Sequence, residues 1–374
     1  MDNNANDHRI FGLDLFRSIA ILMVLLSNLL LIYPNLNDKL AQMLILFSFW
    51  GVEIFFVLSG FLIGNILFNI YVQNDFTIQS VFSFLKKRWF RTLPNYFLVL
   101  LLNIVIAVMF HFQIENIGYY FFFFQNFYHP MMPFFSESWS LSVIQFAYLF
   151  TPFALLFSTF LVKSSHKSRF FIIVISILIL IFIFNKIIYF LTTLNTTIEQ
   201  WNVSLKSVVV YRIDAFLIGI FASWIAINYN KLWLNHKVKL FFLGCFFLIM
   251  LFVGVGYFRV FIETYPFFWN VLYLPLVSTT FALFLPIFSN WKLVPNRFSR
   301  LITLLSLLSY SIYLFQYSIV LQVMKFYFNI STFSMIQLHF FTFIYIILVF
   351  FLSFVMYKYF EKPIMNFRSN QKLN

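Results

Sequence analysis

The sequence predicts an all-α fold, a polytopic transmembrane helix bundle of about ten spans with no soluble appended domain. Three observations lead to this class. Of the 374 residues, 62% are hydrophobic and only 10% are charged, whereas soluble domains carry about 25% charged residues. The mean hydropathy is +0.89. Apolar runs long enough to cross a bilayer recur along the whole chain, so this composition suits lipid rather than water as the surrounding solvent.

The predicted spans follow one another through short connections, as expected of a single domain over residues 1–374. A crossing takes roughly 20 residues, and such runs lie near 11–33, 43–68, 93–112, 139–161, 170–190, 208–228, 240–257, 267–288, 303–324 and 338–357. The first run contains charges and precedes no small-residue cleavage site, so it is predicted to be a retained span and not a signal peptide. Residues 117–127 are strongly aromatic but too short to cross, which favours an interfacial or re-entrant helix.

The distribution of lysine and arginine predicts that both termini are cytoplasmic. With the N-terminus inside, 18 of the 25 basic residues fall in inside segments. The five in outside segments are Lys39, Lys186, Lys206, Arg259 and Lys325. This asymmetry follows the positive-inside rule and also accounts for the net charge of +13 without a nucleic-acid partner. The chain is therefore expected in the cell membrane, with the lipid bilayer as its first partner.

Five charged residues fall inside predicted spans: Asp14, Arg17, Glu53, Arg212 and Asp214. Each costs a few kcal/mol at the bilayer centre, so such residues are candidates for function by default. Asp14 and Arg17 are three apart on a helix and can pair, whereas Arg212 and Asp214 are two apart and each needs a partner elsewhere. The alternative is that all five form structural ion pairs between helices.

A second candidate cluster is the basic segment from Lys86 to Tyr96, KKRWFRTLPNY, at the predicted cytoplasmic entrance to the third span. Arg88 and Arg91 project from one face if the segment is helical, and arginine forks suit phosphate groups. Pro94 is predicted near the start of the following helix, where its missing N–H does no harm. The alternative is a juxtamembrane anchor for anionic lipid.

Seven segments in order resemble landmarks of the acyltransferase-3 family of bacterial membrane O-acyltransferases. GLDLFRSIAILMVLLSN (Gly12 to Asn28) is similar to its first-span motif, GVEIFFVLSGFLIG (Gly51 to Gly64) to its second-span signature, and KKRWFRTLPNY to its Arg-x-x-Arg motif. The later matches are ESWSLSVIQFAYLFTP (137–152), YRIDAFLIGIFASW (211–224), LSYSIYLFQYSI (308–319) and YFEKPI (359–364). Together they span nearly the whole chain, which makes the resemblance specific.

The resemblance implies that the protein takes an acyl group from acyl-CoA, its co-substrate, and passes it to a hydroxyl of an envelope glycan. It implies no tightly bound cofactor and no metal. Arg17 would orient or stabilise the catalytic centre, and Arg88 and Arg91 would hold the phosphates of the donor. The remaining positions carried over are Asn28, Glu53, Arg212 and Asp214 at the centre, and Asn126, Ser138 and Trp139 near the substrate.

Three positions depart from the family pattern. A His that follows the first-span Arg by eleven positions is replaced by Asn28, a Glu of the WSLSV segment by Ile144, and a His of the SYSIYL segment by Gln316. Asn and Gln cannot take a proton from a hydroxyl near neutral pH, and losing a general base costs ~10²–10⁴ in rate. His111 and His129, both near the predicted outer face, are candidate replacements.

Three functional hypotheses follow. The first is a membrane O-acyltransferase using acyl-CoA and a saccharide or similar hydroxyl acceptor. The second is a catalytically degenerate relative that binds acyl donor, lipid or glycan, or assists a partner. The third is a translocator of lipid-linked sugars, which is less favoured because Gly and Pro number only 9 and 10 and no pair of broken helices stands out.

Overall fold

The computed structural model describes residues 9–33, 39–73, 75–161, 166–193, 197–258, 260–292 and 297–370, of which 39–46 and 367–370 are described for the backbone alone. These residues are almost all helical, and no strand occurs among them. The helices are α1 (Phe11–Leu30), α2 (Lys39–Gln73), α3 (Ile78–Met109), α4 (Ile117–Phe121), α5 (Trp139–Thr159), α6 (Lys167–Thr192), α7 (Ile198–Trp201), α8 (Ile213–Asn228), α9 (Asn230–Asn235), α10 (Lys237–Gly256), α11 (Tyr273–Ala282), α12 (Leu285–Phe288), α13 (Arg297–Phe315), α14 (Val323–Tyr327), α15 (Met335–Met356) and α16 (Lys362–Asn370).

The transmembrane class is confirmed within the described residues. Nine helical segments there are long and apolar enough to cross a membrane. The remaining predicted span, 208–228, corresponds to the shorter apolar helix α8. Three spans contain π-helical turns, at Phe268–Leu272, Gln316–Gln322 and Tyr357–Glu361, and a fourth such turn, Asn202–Lys206, follows α7 in the connection before α8. Such turns interrupt the regular backbone ladder and are frequent at functional sites.

The start of the third span was predicted wrongly. Helix α3 begins at Ile78, where Thr77 and Ser80 form a reciprocal capping box, and not near residue 93. Pro94 therefore lies inside the helix, although it was predicted near a helix start. A hydropathy pattern detects only the apolar part of a helix. The first turns of α3 are helical but rich in basic residues, so the pattern did not include them. Arg88 and Arg91 consequently lie within a continuous helix.

The aromatic segment 117–127 does not cross the bundle. It forms the five-residue helix α4 and then an irregular loop, in which Gln125 and Asn126 are buried. Phe123 and Phe135, on either side of these residues, have positive φ angles of 63° and 45°. Bulky side chains rarely adopt this conformation, and it costs about 1–3 kcal/mol. The loop is therefore held in place by its surroundings.

Helix α2 lies at the centre of the bundle and packs most extensively against α8 and α1. Helices α6 and α10 lie at its periphery, with most of their side chains directed outward. Arg9, at one end of the described chain, and Met365, near the other, line the same cavity. We call this side of the bundle the termini end. The loop of Gln125 and Asn126 and the start of α5 lie at the opposite side, the far end.

We expect the termini end to be cytoplasmic. The two ends of the described chain meet on one side, and basic residues predominate in the connections on that side. Alkaline phosphatase fused after Asn374 should be inactive in a bacterial host, and a green fluorescent protein fused there should fluoresce. A phosphatase fusion in the 112–116 connection is the matched control and should be active. The opposite pattern would reverse the orientation.

Candidate functional site

The predicted site residues fall into two groups that the fold keeps apart. Arg17, Arg88 and Arg91 line one cavity of about 580 Å³, open at the termini end. The second group is fully buried and lies deeper in the bundle or toward the far end. It consists of Glu53, Arg212, Asp214, Asn126 and Ser138. Asn28 is half-buried on α1 and is not among the residues that line the cavity. The roles suggested for all of these residues stay predictions.

The cavity is enclosed by α1 and the two residues before it, by α2, α3, α5 and α13, and by α16 and the turn that precedes it. Its polar end is cationic. Four arginines line it, Arg9, Arg17, Arg88 and Arg91, against two carboxylates, Asp14 and Glu361. The cavity lining therefore has a surplus of two positive charges, which favours an anionic ligand.

Asp14 is occupied mainly by Arg9. The Arg9 guanidinium donates to both carboxylate oxygens, from Nε to Oδ2 at 3.0 Å and from Nη2 to Oδ1 at 2.8 Å. The Ser306 hydroxyl donates to Oδ1 at 2.6 Å. Arg17 lies only within 4.0 Å of the same oxygen. The predicted Asp14–Arg17 contact is thus the weaker one, since Arg9 forms the close bidentate pair, and Arg17 keeps donors available to the cavity.

Arg88 and Arg91 face the same cavity, as their spacing of three predicted. The neighbouring Thr92 fixes this part of α3, because its hydroxyl accepts from Gln145 Nε2 at 2.9 Å and its carbonyl accepts from the Tyr310 hydroxyl at 2.9 Å. Arg91 and Arg17 also lie close enough for their charges to repel each other. Bringing like charges together is unfavourable, so the arrangement indicates an anion site.

Glu361 is a cavity residue that the sequence analysis did not single out, although it quoted the YFEKPI segment. Its Oε2 accepts from Asn95 Nδ2 at 2.9 Å and from the Ser311 hydroxyl at 3.1 Å. The π-helical turn Tyr357–Glu361 precedes α16 and places this carboxylate against α3 and α13. A hydropathy pattern cannot predict this placement, because it depends on where the widened turn occurs.

The deeper part of the cavity is apolar. Its lining there includes Val52, Phe56, Leu141 and Ile144. Ile144 occupies the position where the family resemblance leads one to expect a Glu, so this wall has no carboxylate. The cavity is therefore amphipathic, with cations at its mouth and hydrocarbon in its depth, a form that suits an anionic molecule with an apolar tail.

The deep group consists of two buried ion pairs. Arg212 Nη2 donates to Glu53 Oε1, and the Ser278 hydroxyl donates to Glu53 Oε2 at 2.9 Å. Lys186 Nζ donates to Asp214 Oδ2 at 2.5 Å. All four charged side chains are 0% exposed. The prediction that Arg212 and Asp214 have separate partners is confirmed, and the alternative of ion pairs between helices describes their geometry.

Lys186 was assigned wrongly to an outside segment. It lies within α6 and is fully buried against Asp214. Its charge was treated as a sign of exposure, whereas in the fold a carboxylate on another helix compensates it. The sequence did contain a signal for this pair. Lys186 lies near the end of a long apolar run, and Asp214 was predicted to need a partner elsewhere in the chain.

Lys206 lies near this group at the far end. Its Nζ lies 5.1 Å from the centre of the Trp139 ring and 5.7 Å from that of Phe49. Burial, with a smaller contribution from the nearby Arg212 charge, lowers the pKa of Lys206 to about 8. The lysine is therefore partly neutral just above physiological pH.

Asn126, Ser138 and Trp139 meet at the start of α5. Asn126 Nδ2 donates to the Trp139 carbonyl at 3.0 Å and to the Ser207 carbonyl at 2.5 Å. Gln125 Nε2 donates to the Ser138 hydroxyl at 3.1 Å. These bonds attach the loop after α4 to α5 and to the segment before α8, so in this structure Asn126 joins parts of the backbone.

Comparison with known proteins gives one match. A family model described as "Acyltransferase domain", of the acyltransferase-3 type, matches residues 10–358. No curated protein and no solved structure matches the chain. The match includes every cavity residue named above except Arg9, Glu361 and Met365, which lie outside residues 10–358.

Proposed function

The chain belongs to the acyltransferase-3 family, and from this premise we propose that it moves an acyl group from acyl-CoA to a hydroxyl of an envelope saccharide or similar acceptor. Membership supports a multi-pass membrane protein of the acyltransferase kind. The donor, the acceptor, the cell membrane as location and the orientation of the termini are parts of the proposal.

The amphipathic cavity is the observation that carries the proposal. Acyl-CoA has several phosphate groups at one end and an acyl chain at the other. Arginine forks bind phosphate through paired charge-assisted hydrogen bonds, and Arg17, Arg88 and Arg91 line the mouth. The apolar depth near Phe56 and Ile144 suits the acyl chain. With the termini end inside, the donor enters from the cytoplasm.

The remaining site residues take their proposed roles from the family pattern. Asn28, on the same face of α1 as Arg17, is about 16 Å further along the axis at ~1.5 Å per residue. It would hydrogen-bond the acceptor hydroxyl nearer the far end. Glu53, Arg212 and Asp214 would hold the centre of the bundle, and Asn126, Ser138 and Trp139 would border the acceptor.

Transfer of label tests the proposal directly. The protein, reconstituted in vesicles, is given acetyl-CoA labelled in its acetyl group together with bacterial envelope material, and label in the envelope fraction is measured. We expect label to accumulate with the protein and not with empty vesicles. Binding of acetyl-CoA without any transfer of label would refute the proposed activity.

Replacing both Arg88 and Arg91 by Gln should weaken acetyl-CoA binding by a factor of about ten or more for each arginine, because a hydrogen bond to a charged group contributes about 1.5–3 kcal/mol. Titration calorimetry in detergent measures the affinity. The melting temperature should change little, since Arg91 is exposed and Arg88 is only half-buried.

The double variant Lys86→Gln/Lys87→Gln is the matched control. It removes the same charge from the same helix, but these lysines are exposed and do not line the cavity. Acetyl-CoA binding should be nearly unchanged. If both double variants bind acetyl-CoA like the wild type, the basic segment does not bind the donor. It is then a lipid anchor, and both variants should instead weaken the interaction with anionic vesicles.

A degenerate, donor-binding relative is the second candidate function. The apolar Ile144 in the cavity wall favours it, because no carboxylate stands there. Donor binding without transfer in the labelling experiment supports this candidate, and transfer excludes it.

A further inference from the structure

Glu137 is a buried carboxyl that none of the roles above uses. It lies in the short 3₁₀ turn Ser136–Ser138 before α5 and is 7% exposed. Its Oε1 accepts from the backbone N–H of Ser318 at 3.0 Å and from the Ser318 hydroxyl. Its Oε2 is buried and has no partner among the described residues. A buried polar atom without a partner is rare and calls for an explanation.

In the part of the chain that the structure describes, Glu137 forms no ion pair with a basic side chain. The hydrogen bonds described for its carboxylate are the two from Ser318. The carboxyls of Glu53 and Asp214, in contrast, are each bound to a cation. An ionised carboxylate in such surroundings is unfavourable unless it is paired, so a carboxyl left unpaired can take up a proton.

The widened turn of the neighbouring helix holds this carboxyl. Ser318 lies in the π-helical turn Gln316–Gln322. Such a turn departs from the regular i→i−4 ladder, and the Ser318 N–H donates to the side chain of Glu137. One oxygen is thereby fixed, and the other is left for a ligand.

Glu137 lies two residues before α5, on the side from which the cavity-lining face of that helix continues. Positions 137, 140, 141, 144 and 148 recur at helical spacing, and all of them except 137 line the cavity. Glu137 is one turn beyond Ser140 toward the far end. The cavity residue Tyr313 joins the two, because its hydroxyl accepts from Ser140 Oγ at 2.7 Å and donates to the Glu137 carbonyl at 2.9 Å.

Two further buried polar atoms on neighbouring elements lack a partner among the described residues. The Tyr345 hydroxyl is buried without a partner in the described part of the chain and interacts electrostatically with Glu137. Gln316 Oε1, in the same π-helical turn as Ser318, is also buried without a partner there. Polar atoms arranged in this way between α5, α13 and α15 suit a hydroxyl-bearing ligand that can both donate and accept.

We propose that Glu137 is the proton acceptor for the acceptor hydroxyl, at a site that lies between the donor cavity and the far end. Oε2 takes the hydroxyl proton while the hydroxyl oxygen bonds to the carbonyl carbon of the thioester. The carbon–sulfur bond then breaks, and the proton passes from Glu137 to the leaving thiolate, giving ester, free thiol and an ionised Glu137. This inference rests on the proposed function, and it places the base seven residues before Ile144, in the turn that precedes α5.

The test compares Glu137→Gln with Glu137→Asp, and Glu115→Gln is the control because Glu115 is an exposed carboxyl outside the cavity. Glu137→Gln should lower label transfer by ~10²–10⁴ without changing acetyl-CoA binding. Glu137→Asp should keep part of the rate and shift its pH profile. The control should match the wild type. Transfer by Glu137→Gln at the wild-type rate would overturn the inference and leave the proposed function intact.

A second measurement does not need transfer activity. Dicyclohexylcarbodiimide reacts with protonated carboxyls in apolar surroundings, and peptide mass analysis locates the adduct. Glu137 of the wild type should be labelled increasingly as the pH falls. Absence of an adduct at Glu137 at every pH would overturn the inference. An adduct in a protein that transfers no label would show that the proposed function fails although the carboxyl titrates.

Discussion

Replacing Arg212 by methionine is expected to destabilise the protein by about 3–5 kcal/mol, because it leaves Glu53 as a buried charge without a partner. Arg212 and Glu53 are both 0% exposed. The Ser278 hydroxyl alone would remain on the carboxylate, and one neutral hydrogen bond does not compensate a buried charge. The melting temperature in detergent should fall sharply.

The double variant Glu53→Gln/Arg212→Met should recover much of this loss, since removing both charges of a buried pair is often nearly neutral. Arg300→Met, which removes an exposed arginine, is the control and should melt like the wild type. If Arg212→Met alone melts like the wild type, the pair does not stabilise the fold. If the stable double variant loses label transfer, the pair serves the reaction as well as the structure.

The spans were the part of the fold that the sequence predicted best. Long apolar runs are required by lipid whatever the tertiary contacts are, and α5 and α6 begin and end within a few residues of the predicted bounds. The start of α3 was missed, because four basic residues between Lys86 and Arg91 interrupt the apolar pattern and only the capping box at Thr77 marks the helix start.

The partners of the buried charges could not be predicted. Spacing alone shows that Arg212 and Asp214 face different directions. It does not show that Arg212 meets Glu53, 159 positions away, or that Asp214 meets Lys186, 28 positions away. These contacts depend on the order in which helices pack, and hydropathy contains no information on that order.

The candidate site was predicted in part. The spacing of Arg88 and Arg91 predicted a shared face, and the fold adds Arg17 to it. Glu361 and Glu137 were missed, since π-helical turns at Tyr357–Glu361 and Gln316–Gln322 bring them to their partners. A widened turn has no simple sequence signature, so carboxyls that depend on one are found only in the structure.

Replacing Gly60 by alanine is expected to destabilise the protein by an amount at the upper end of the ~1–3 kcal/mol typical of overpacking. Helix α2 crosses α8 at Gly60 and Gly219. A Cβ atom at Gly60 would lie 1.9 Å from the Phe216 carbonyl oxygen and 3.1 Å from the Gly219 Cα. Backbone atoms cannot rotate away as a side chain can, so the two helices must separate. Small residues permit such close crossings in membranes.

Separation at this crossing should also weaken the Glu53–Arg212 pair. Glu53 precedes Gly60 by seven residues and Arg212 precedes Gly219 by seven, so the ion pair lies two turns along the same pair of helices. Gly60→Ala should therefore destabilise less in the Glu53→Gln/Arg212→Met background than in the wild type, since contacts that share a helix pair are coupled. A double-mutant cycle of melting temperatures measures this coupling.

Gly254→Ala is the matched control for Gly60→Ala. Gly254 also lies within a helix, α10, but a Cβ there would meet nothing within 4 Å. Alanine has the higher helix propensity by about 1 kcal/mol in water, so this variant should melt at or above the wild-type temperature. If Gly60→Ala and Gly254→Ala have the same melting temperature, the α2–α8 crossing tolerates a wider spacing. The close approach of Gly60 and Gly219 then does not determine where Arg212 meets Glu53.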